Sequence, residues 1–195
     1  MIHYIKIAFL TIIEALLFFF TAAYVLYIKF NISGTKNFYI VLLFGMLILV
    51  VTVKSLFARF KRYYILHFSI RKVDRMTGEE FELFLKLHFE QLGCAVSMTS
   101  ISGDYGADLI LDYKDRIVAV QAKRHNSVIG VKAIQEVIGS MAYYEADVGL
   151  VVTNSTYTRN AIELADANDI ILWDRDILVQ MMNRENMSGY LNEFL

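Results

Sequence analysis

Twenty-two residues from Ile7 to Ile28, IAFLTIIEALLFFFTAAYVLYI, carry a single charge, Glu14. A helix needs roughly 20 apolar residues to cross the hydrocarbon core of a bilayer, and a helix apolar on every side has no stable place on the surface of a water-soluble domain. A second apolar run, FYIVLLFGMLILVVTV, covers Phe38 to Val53. Lys54 follows, and because a lysine at a span end can snorkel, SLFA extends this run. The polar stretch KFNISGTKN separates the two. The pattern predicts a transmembrane helical hairpin, with spans at about 7–28 and 38–57. A cleaved leader is the competing reading. The first run exceeds the roughly 7–15 residues of a leader's apolar segment, and no small-residue cleavage site follows it.

Basic residues set the expected orientation. Lys54, Arg59, Lys61, Arg62, Arg71, Lys72 and Arg75 follow the second run, whereas the intervening loop carries only Lys29 and Lys36. The positive-inside rule then places both the N-terminus and the long C-terminal part in the cytoplasm, as a multi-pass protein of the cell (inner) membrane. Residues 61–76 read as a basic juxtamembrane linker against anionic headgroups of the lipid bilayer; contact with nucleic acid is the sharper alternative. Glu14 inside a span receives no role.

Most of the apolar excess in this 56% hydrophobic chain lies before residue 60, so the rest reads as an ordinary domain. One cysteine, Cys94, leaves no intramolecular disulfide framework and no cysteine pattern for zinc. MTGEEFELFLKLHFEQLG begins with the Thr77/Glu80 spacing of a capping box and continues with apolar residues at helical spacing. Strand-like CAVSMTS, ADLILDY and RIVAVQAK follow, the last two joined by a tight turn into a hairpin. Then come a helix (GVKAIQEVIGSMAYYEA), a buried strand (VGLVVTN), a helix (TRNAIELADAND), a short strand (IILW) and a last helix (DRDILVQMMNRE). The order α-β-β-β-α-β-α-β-α over 77–195 predicts an α/β domain, a mixed sheet with helices on both faces. This segment holds nine Lys and Arg against eighteen Asp and Glu, a net charge of −9. Such acidity works against the nonspecific phosphate attraction on which most DNA binding rests.

The hairpin carries the chemistry. Side chains alternate along a strand, so Gln121 and Lys123 share a face, while Val118, Val120 and Ala122 take the other. Asp108 follows the glycine-containing SGDYGA and opens the preceding strand, so the hairpin brings it toward the end of the next one. A carboxylate and a second oxygen donor hold a hard cation such as Mg²⁺, and a lysine beside them orients water and offsets phosphate charge. This is the equipment of metal-dependent phosphodiester hydrolysis. Each residue also has a plain structural reading: Asp108 as a turn cap, Gln121 as an edge-strand polar residue, Lys123 as a solvated strand end.

These residues resemble the PD-(D/E)xK nuclease superfamily, and within it the Mrr-type restriction endonuclease domain. GEEFELFLKLHFEQLGCAV is similar to the family's opening helix, SGDYGADLIL to its Gly-Asp-x-Gly-x-Asp-Leu strand, and VAVQAKR to its Gln-x-Lys variant. VGLVVTNSTYTRNAIELA and IILWDRDIL resemble its later segments, so the likeness spans roughly 77–180. The resemblance implies a restriction-endonuclease-like fold and a Mg²⁺-dependent DNA endonuclease of type IV character. It implies Asp108 as a metal ligand, Gln121 where most of the superfamily has an acid, Lys123 as the catalytic lysine and Glu82 as an auxiliary acid. Asp104 matches a further acidic position. Arg124, His125, Asn154 and Arg159 are candidate DNA contacts, and a homodimer would suit double-strand cutting. Two other readings compete. The domain could be a catalytically weak DNA- or effector-binding module, which its acidity and Gln121 favour. Alternatively, the hairpin and basic collar could form a membrane scaffold carrying an inert domain.

Overall fold

The computed structural model describes residues 19–21, 24–25, 35–99 and 105–183, with only the backbone at 35–42. Glu14, Asp104 and most of the first apolar run lie outside the described residues. The chain divides into two compact units, Met1–Tyr64 and Ile65–Leu195.

In the first unit, residues 19–21 and 24–25 are helical, and the main element is α1 (Thr35–Leu66). Within Leu43–Leu66 of this helix, an 18-residue stretch has a mean hydropathy of 1.9 and stands almost wholly exposed. It is the one helix, among the described residues, long and apolar enough to cross a membrane. The helix outlasts the expected span and runs on to Leu66, through the first part of the basic stretch. Between Gly45 and Gly78 there is neither glycine nor proline to stop it. Lys54, Arg59, Lys61 and Arg62 therefore ride on a helix rather than in a loop. Gly45 is buried under the Phe19 ring, in space that any side chain at position 45 would occupy.

The second unit is built on a five-stranded sheet: β1 (Ala95–Met98), β2 (Leu109–Tyr113), β3 (Arg116–Lys123), β4 (Val148–Thr153) and β5 (Ile171–Trp173), lying side by side in chain order. The first three strands are antiparallel, and β4 and β5 then run parallel to β3. The predicted hairpin turn is Lys114–Asp115, with Tyr113 paired to Arg116 and φ of +51° and +63° at the two turn residues. Two consecutive positive φ values are what a two-residue turn needs to match the strand twist. The helices are α2 (Ile70–Val73), α3 (Gly78–Gln91), α4 (Val131–Tyr143), α5 (Arg159–Asp166) and α6 (Arg175–Asn183). The predicted capping box opens α3: Thr77 Oγ1 accepts from Glu80 N at 3.2 Å and Glu80 Oε2 accepts from Thr77 N at 2.9 Å.

Helices cover both faces of the sheet, as the element order predicts. On one face Phe81, Phe84, Leu85 and Phe89 of α3, with Leu178 and Met181 of α6, pack on Leu109, Leu111, Val118, Val120 and Ala122. Ile65, Val73 and Met76 join this core, so part of the stretch read as a linker is packed into the unit. On the other face Ala133, Ile134 and Val137 of α4 and Ala161 and Ala165 of α5 pack on Ala119 and Val151. Alanines at 119, 133, 161 and 165 thin this second layer beside the larger Ile134, Val137 and Val151. Cys94 is buried in the first core, and burial pushes its thiol up to about 11, with Asp112 adding to the shift.

Candidate active site

Register and alternation together place the predicted triplet. Leu109 pairs with Val120, so the next positions, Asp108 and Gln121, lie opposite each other and point to one face. Lys123 shares that face, on the side of α4. The Asp108 carboxylate is firmly held. Its Oδ2 accepts from Ala122 N at 2.7 Å and from Gln121 Nε2, while its own N–H donates to Val120 O at 2.8 Å. On the other side, Thr99 Oγ1 donates to Ala107 O at 2.7 Å and Thr99 N donates to Asp108 O at 3.1 Å. Gln121 is only 3% exposed, so its amide serves this carboxylate inside the protein.

Lys123 ends β3 beside Thr153, whose hydroxyl donates to Lys123 O at 2.7 Å. Its Nζ lies 2.8 Å from Oε2 of Glu136 on α4, with the two side chains 33% and 28% exposed. That contact is coulombic: Glu136 Oε2 is buried and lacks a hydrogen-bond partner. Glu136 is absent from the sequence-based assignment. The one signal for it is positional. It lies three residues after buried Ala133 and four before buried Ser140, so a carboxylate sits at the edge of the buried stripe of α4.

The loop that leads into Asp108 rests on the same turn of α4. Gly106 has φ +97°, and a Cβ added there would stand 2.3 Å from Glu136 O. Only glycine allows both this conformation and this approach.

Glu82 is half-buried on α3, whose buried face packs on the opposite side of the sheet from Asp108, Gln121 and Lys123. The structure therefore brings Asp108, Gln121 and Lys123 to one face together with Glu136, and sets Glu82 in the other layer. Among the described residues no group of three or more His, Cys, Asp or Glu side chains forms a metal cluster. The oxygen donors on this face are the carboxylates of Asp108 and Glu136, the chemistry that a hard cation such as Mg²⁺ takes, whereas Gln121 turns its amide nitrogen, not its oxygen, to Asp108. The buried, hydrogen-bond-free oxygen of Glu136 fits the same kind of ion.

The proposed DNA contacts separate into two kinds. Arg159 is 89% exposed on α5 and pairs with Glu163 at 2.7 Å. The others form a knot beyond the ends of β3 and β4. Asn154 is buried. Its Oδ1 accepts from His125 N at 2.8 Å and its Nδ2 donates to Asp74 Oδ1 at 3.0 Å. Arg175 of α6 grips Asp74 with two bonds of 2.7 and 2.9 Å, and its Nη1 also donates to Asn154 O at 2.8 Å. Arg124 Nη1 donates to Asp74 O at 3.3 Å and to Asn126 Oδ1 at 2.9 Å. The bidentate Arg175 guanidinium holds the Asp74 carboxyl below its ordinary value, assisted by Asn154 and opposed by partial burial. His125, Asn126, Ser155 and Thr156 line the open cleft above this knot.

The family model Mrr_cat, described as restriction endonuclease, matches residues 73–182. No curated protein matches the chain. Among solved structures, the protein of unknown function AF1548 is 15% identical, over 48% of this chain and 55% of that one, with a TM-score of 0.43. The DNA modification-dependent restriction endonuclease AspBHI is 18% identical, over 68% of this chain and 39% of that one, with a TM-score of 0.46. The matched part thus spans about half of the first of these proteins and less of the second.

Proposed function

The chain belongs to the Mrr-type restriction endonuclease family, and on that premise we propose that it hydrolyses DNA phosphodiester bonds with the aid of a divalent cation, Mg²⁺. The observation that carries the proposal is the oriented Asp108 carboxylate on the same sheet face as Lys123. Asp108 would hold the cation. Gln121 and the Ala122 N–H fix Asp108 in one orientation, so little rearrangement is needed when a ligand arrives. When bound, the cation would supply Lewis-acid stabilisation and a more acidic water. Hydrolysis joins a water oxygen to phosphorus and breaks one phosphorus–ester oxygen bond. Water gives up a proton and the departing oxygen gains one. Lys123 is the cationic group on this face that orients the water and offsets charge building on the phosphate.

The membrane setting is part of the proposal. Its support is the exposed apolar helix α1 and the seven basic residues from Lys54 to Arg75, which favour a cytoplasmic catalytic unit. Lipid headgroups would then be a partner besides DNA, and a homodimer would deliver two nicks as a double-strand cut. The hairpin, the auxiliary role of Glu82 and the DNA contacts of Arg124, His125 and Arg159 belong to the same reading.

The test is cleavage of plasmid DNA with Mg²⁺ by the full-length protein and by Asp108→Ala and Lys123→Ala. Loss of cleavage in both, with thermal stability retained, is the expected result; equal cleavage by all three rejects the assigned roles. A second reading has its own support in the net charge of −9 over residues 77–195 and the neutral Gln121 beside Asp108. In that reading the domain binds DNA or an effector with little turnover, and firm DNA binding without cleavage in Mg²⁺ or Mn²⁺ would favour it.

A further inference from the structure

Resting on that reading and deepening it, we infer that Glu136 supplies the site's second carboxylate for the divalent cation, the charge that Gln121 lacks. Three observations meet on this residue. Its Oε2 is buried without a hydrogen bond and faces Lys123 Nζ at 2.8 Å. Its backbone is the surface against which Gly106 closes, two residues before Asp108. It projects from the helix that covers the sheet face holding Asp108, Gln121 and Lys123.

Reach is adequate. Two residues span at most about 7 Å, so Asp108 lies no farther than that along the chain from Gly106, the residue closed against the Glu136 backbone. Charge points the same way. Asp108 and Lys123 alone cancel and offer a divalent cation no net attraction. Glu136 adds a second negative charge beside Asp108, shared in part with the exposed Lys132, whose Nζ lies 3.8 Å from its Oε1. A superfamily site with an acid at the position of Gln121 would have two carboxylates on the strands. Here one is on a strand and the other comes from the helix above. Lys123 Nζ lies against the Glu136 carboxylate. Asp108 and Glu136 would hold the cation, which would leave the Lys123 ammonium available to the phosphate.

The test uses the full-length protein and Mn²⁺ alone, with bound ion read by electron paramagnetic resonance in the absence of DNA. Glu136→Gln keeps the shape and removes the charge; its Mn²⁺ affinity is expected to fall at least tenfold. Adding Gln121→Glu to that variant returns a carboxylate to the strand and is expected to recover affinity to within about threefold of wild type. Affinity of Glu136→Gln within twofold of wild type, or a loss that Gln121→Glu leaves unrepaired, overturns the inference. If Glu136→Gln does not fold, Gln121→Glu alone decides. A third carboxylate is then expected to tighten Mn²⁺ binding at least threefold, and an unchanged affinity counts against a shared ion. Asp108→Ala separates the two levels. Its loss of Mn²⁺ beside an unaffected Glu136→Gln sinks only the role of Glu136, whereas unchanged Mn²⁺ binding in Asp108→Ala sinks the metal site itself.

Discussion

Two polar clusters stand at the same end of the sheet, and they are built to opposite purposes. The knot of Asp74, Arg175 and Asn154 is closed on itself. Both carboxylate oxygens take guanidinium bonds, and both ends of the Asn154 amide are used within the protein. The cluster of Asp108, Gln121, Lys123 and Glu136 is left open. One carboxylate is locked in place by its neighbours, while an oxygen of the other is buried with only a coulombic partner. The Asp74–Arg175–Asn154 part of the knot contributes stability by satisfying the groups it desolvates, although Nε of neighbouring Arg124 is buried without a hydrogen bond. An incomplete one gives up part of that stability to keep groups ready for a ligand. Under the proposed function, the contrast is between a structural cluster and a chemical one, both at the ends of β3 and β4.

The largest break in the comparison comes from removing the open cluster. Lys123→Ala is expected to lower DNA cleavage by about 10²–10³-fold, the range for losing one group that stabilises charge in the transition state. Its urea midpoint should stay close to wild type. A large fall in stability would show that Lys123 belongs to the structural kind.

The closed knot should respond the other way. Arg175→Ala leaves Asp74 without its bidentate partner and Asn154 O without a donor. Because both charged groups are about a third exposed, solvent screening keeps the expected cost to about 1–2 kcal/mol by urea unfolding. Unchanged stability would remove the distinction.

The pH dependence sharpens it. Arg175, with help from Asn154, holds the folded carboxyl of Asp74 below its ordinary value. A depressed carboxyl stabilises the fold above its unfolded value of about 3.9 and loses that contribution as pH falls through the folded one. The stability advantage of wild type over Asp74→Asn should therefore be constant above about pH 5 and shrink below about pH 4. An advantage that persists at pH 3 would mean that the carboxylate charge is not what holds the knot.

The smallest effect belongs to a surface pair that resembles both clusters only on paper. Arg159→Ala breaks an exposed i,i+4 contact with Glu163 and should change stability by no more than about 0.5 kcal/mol. A larger cost would mean that Arg159 does more than sit on the surface of α5.

The sequence is most readable where a structure depends on near neighbours. The capping box at Thr77, the alternation of β3 and the two-residue turn at Lys114–Asp115 are all short-range devices, and all are visible in the chain itself. Alternation also predicts that Gln121 and Lys123 share a face, and antiparallel pairing then sets Asp108 opposite Gln121. Asp74 and Arg175, by contrast, lie 101 positions apart and have no local signature that pairs them. Asn154, a candidate DNA contact from the sequence, is buried, because its amide is the bridge between two loops.

What the sequence by itself determined is the apolar N-terminal run, the order of helices and strands, and the strand face that carries Asp108, Gln121 and Lys123. Each follows from side-chain periodicity and backbone sterics acting over a few residues. What only the tertiary structure decided is which turn of α4 settles against Gly106. That docking sets Glu136 against Lys123, because small residues in the α4–sheet layer and a glycine without a Cβ let the helix come close enough for the two charges to meet.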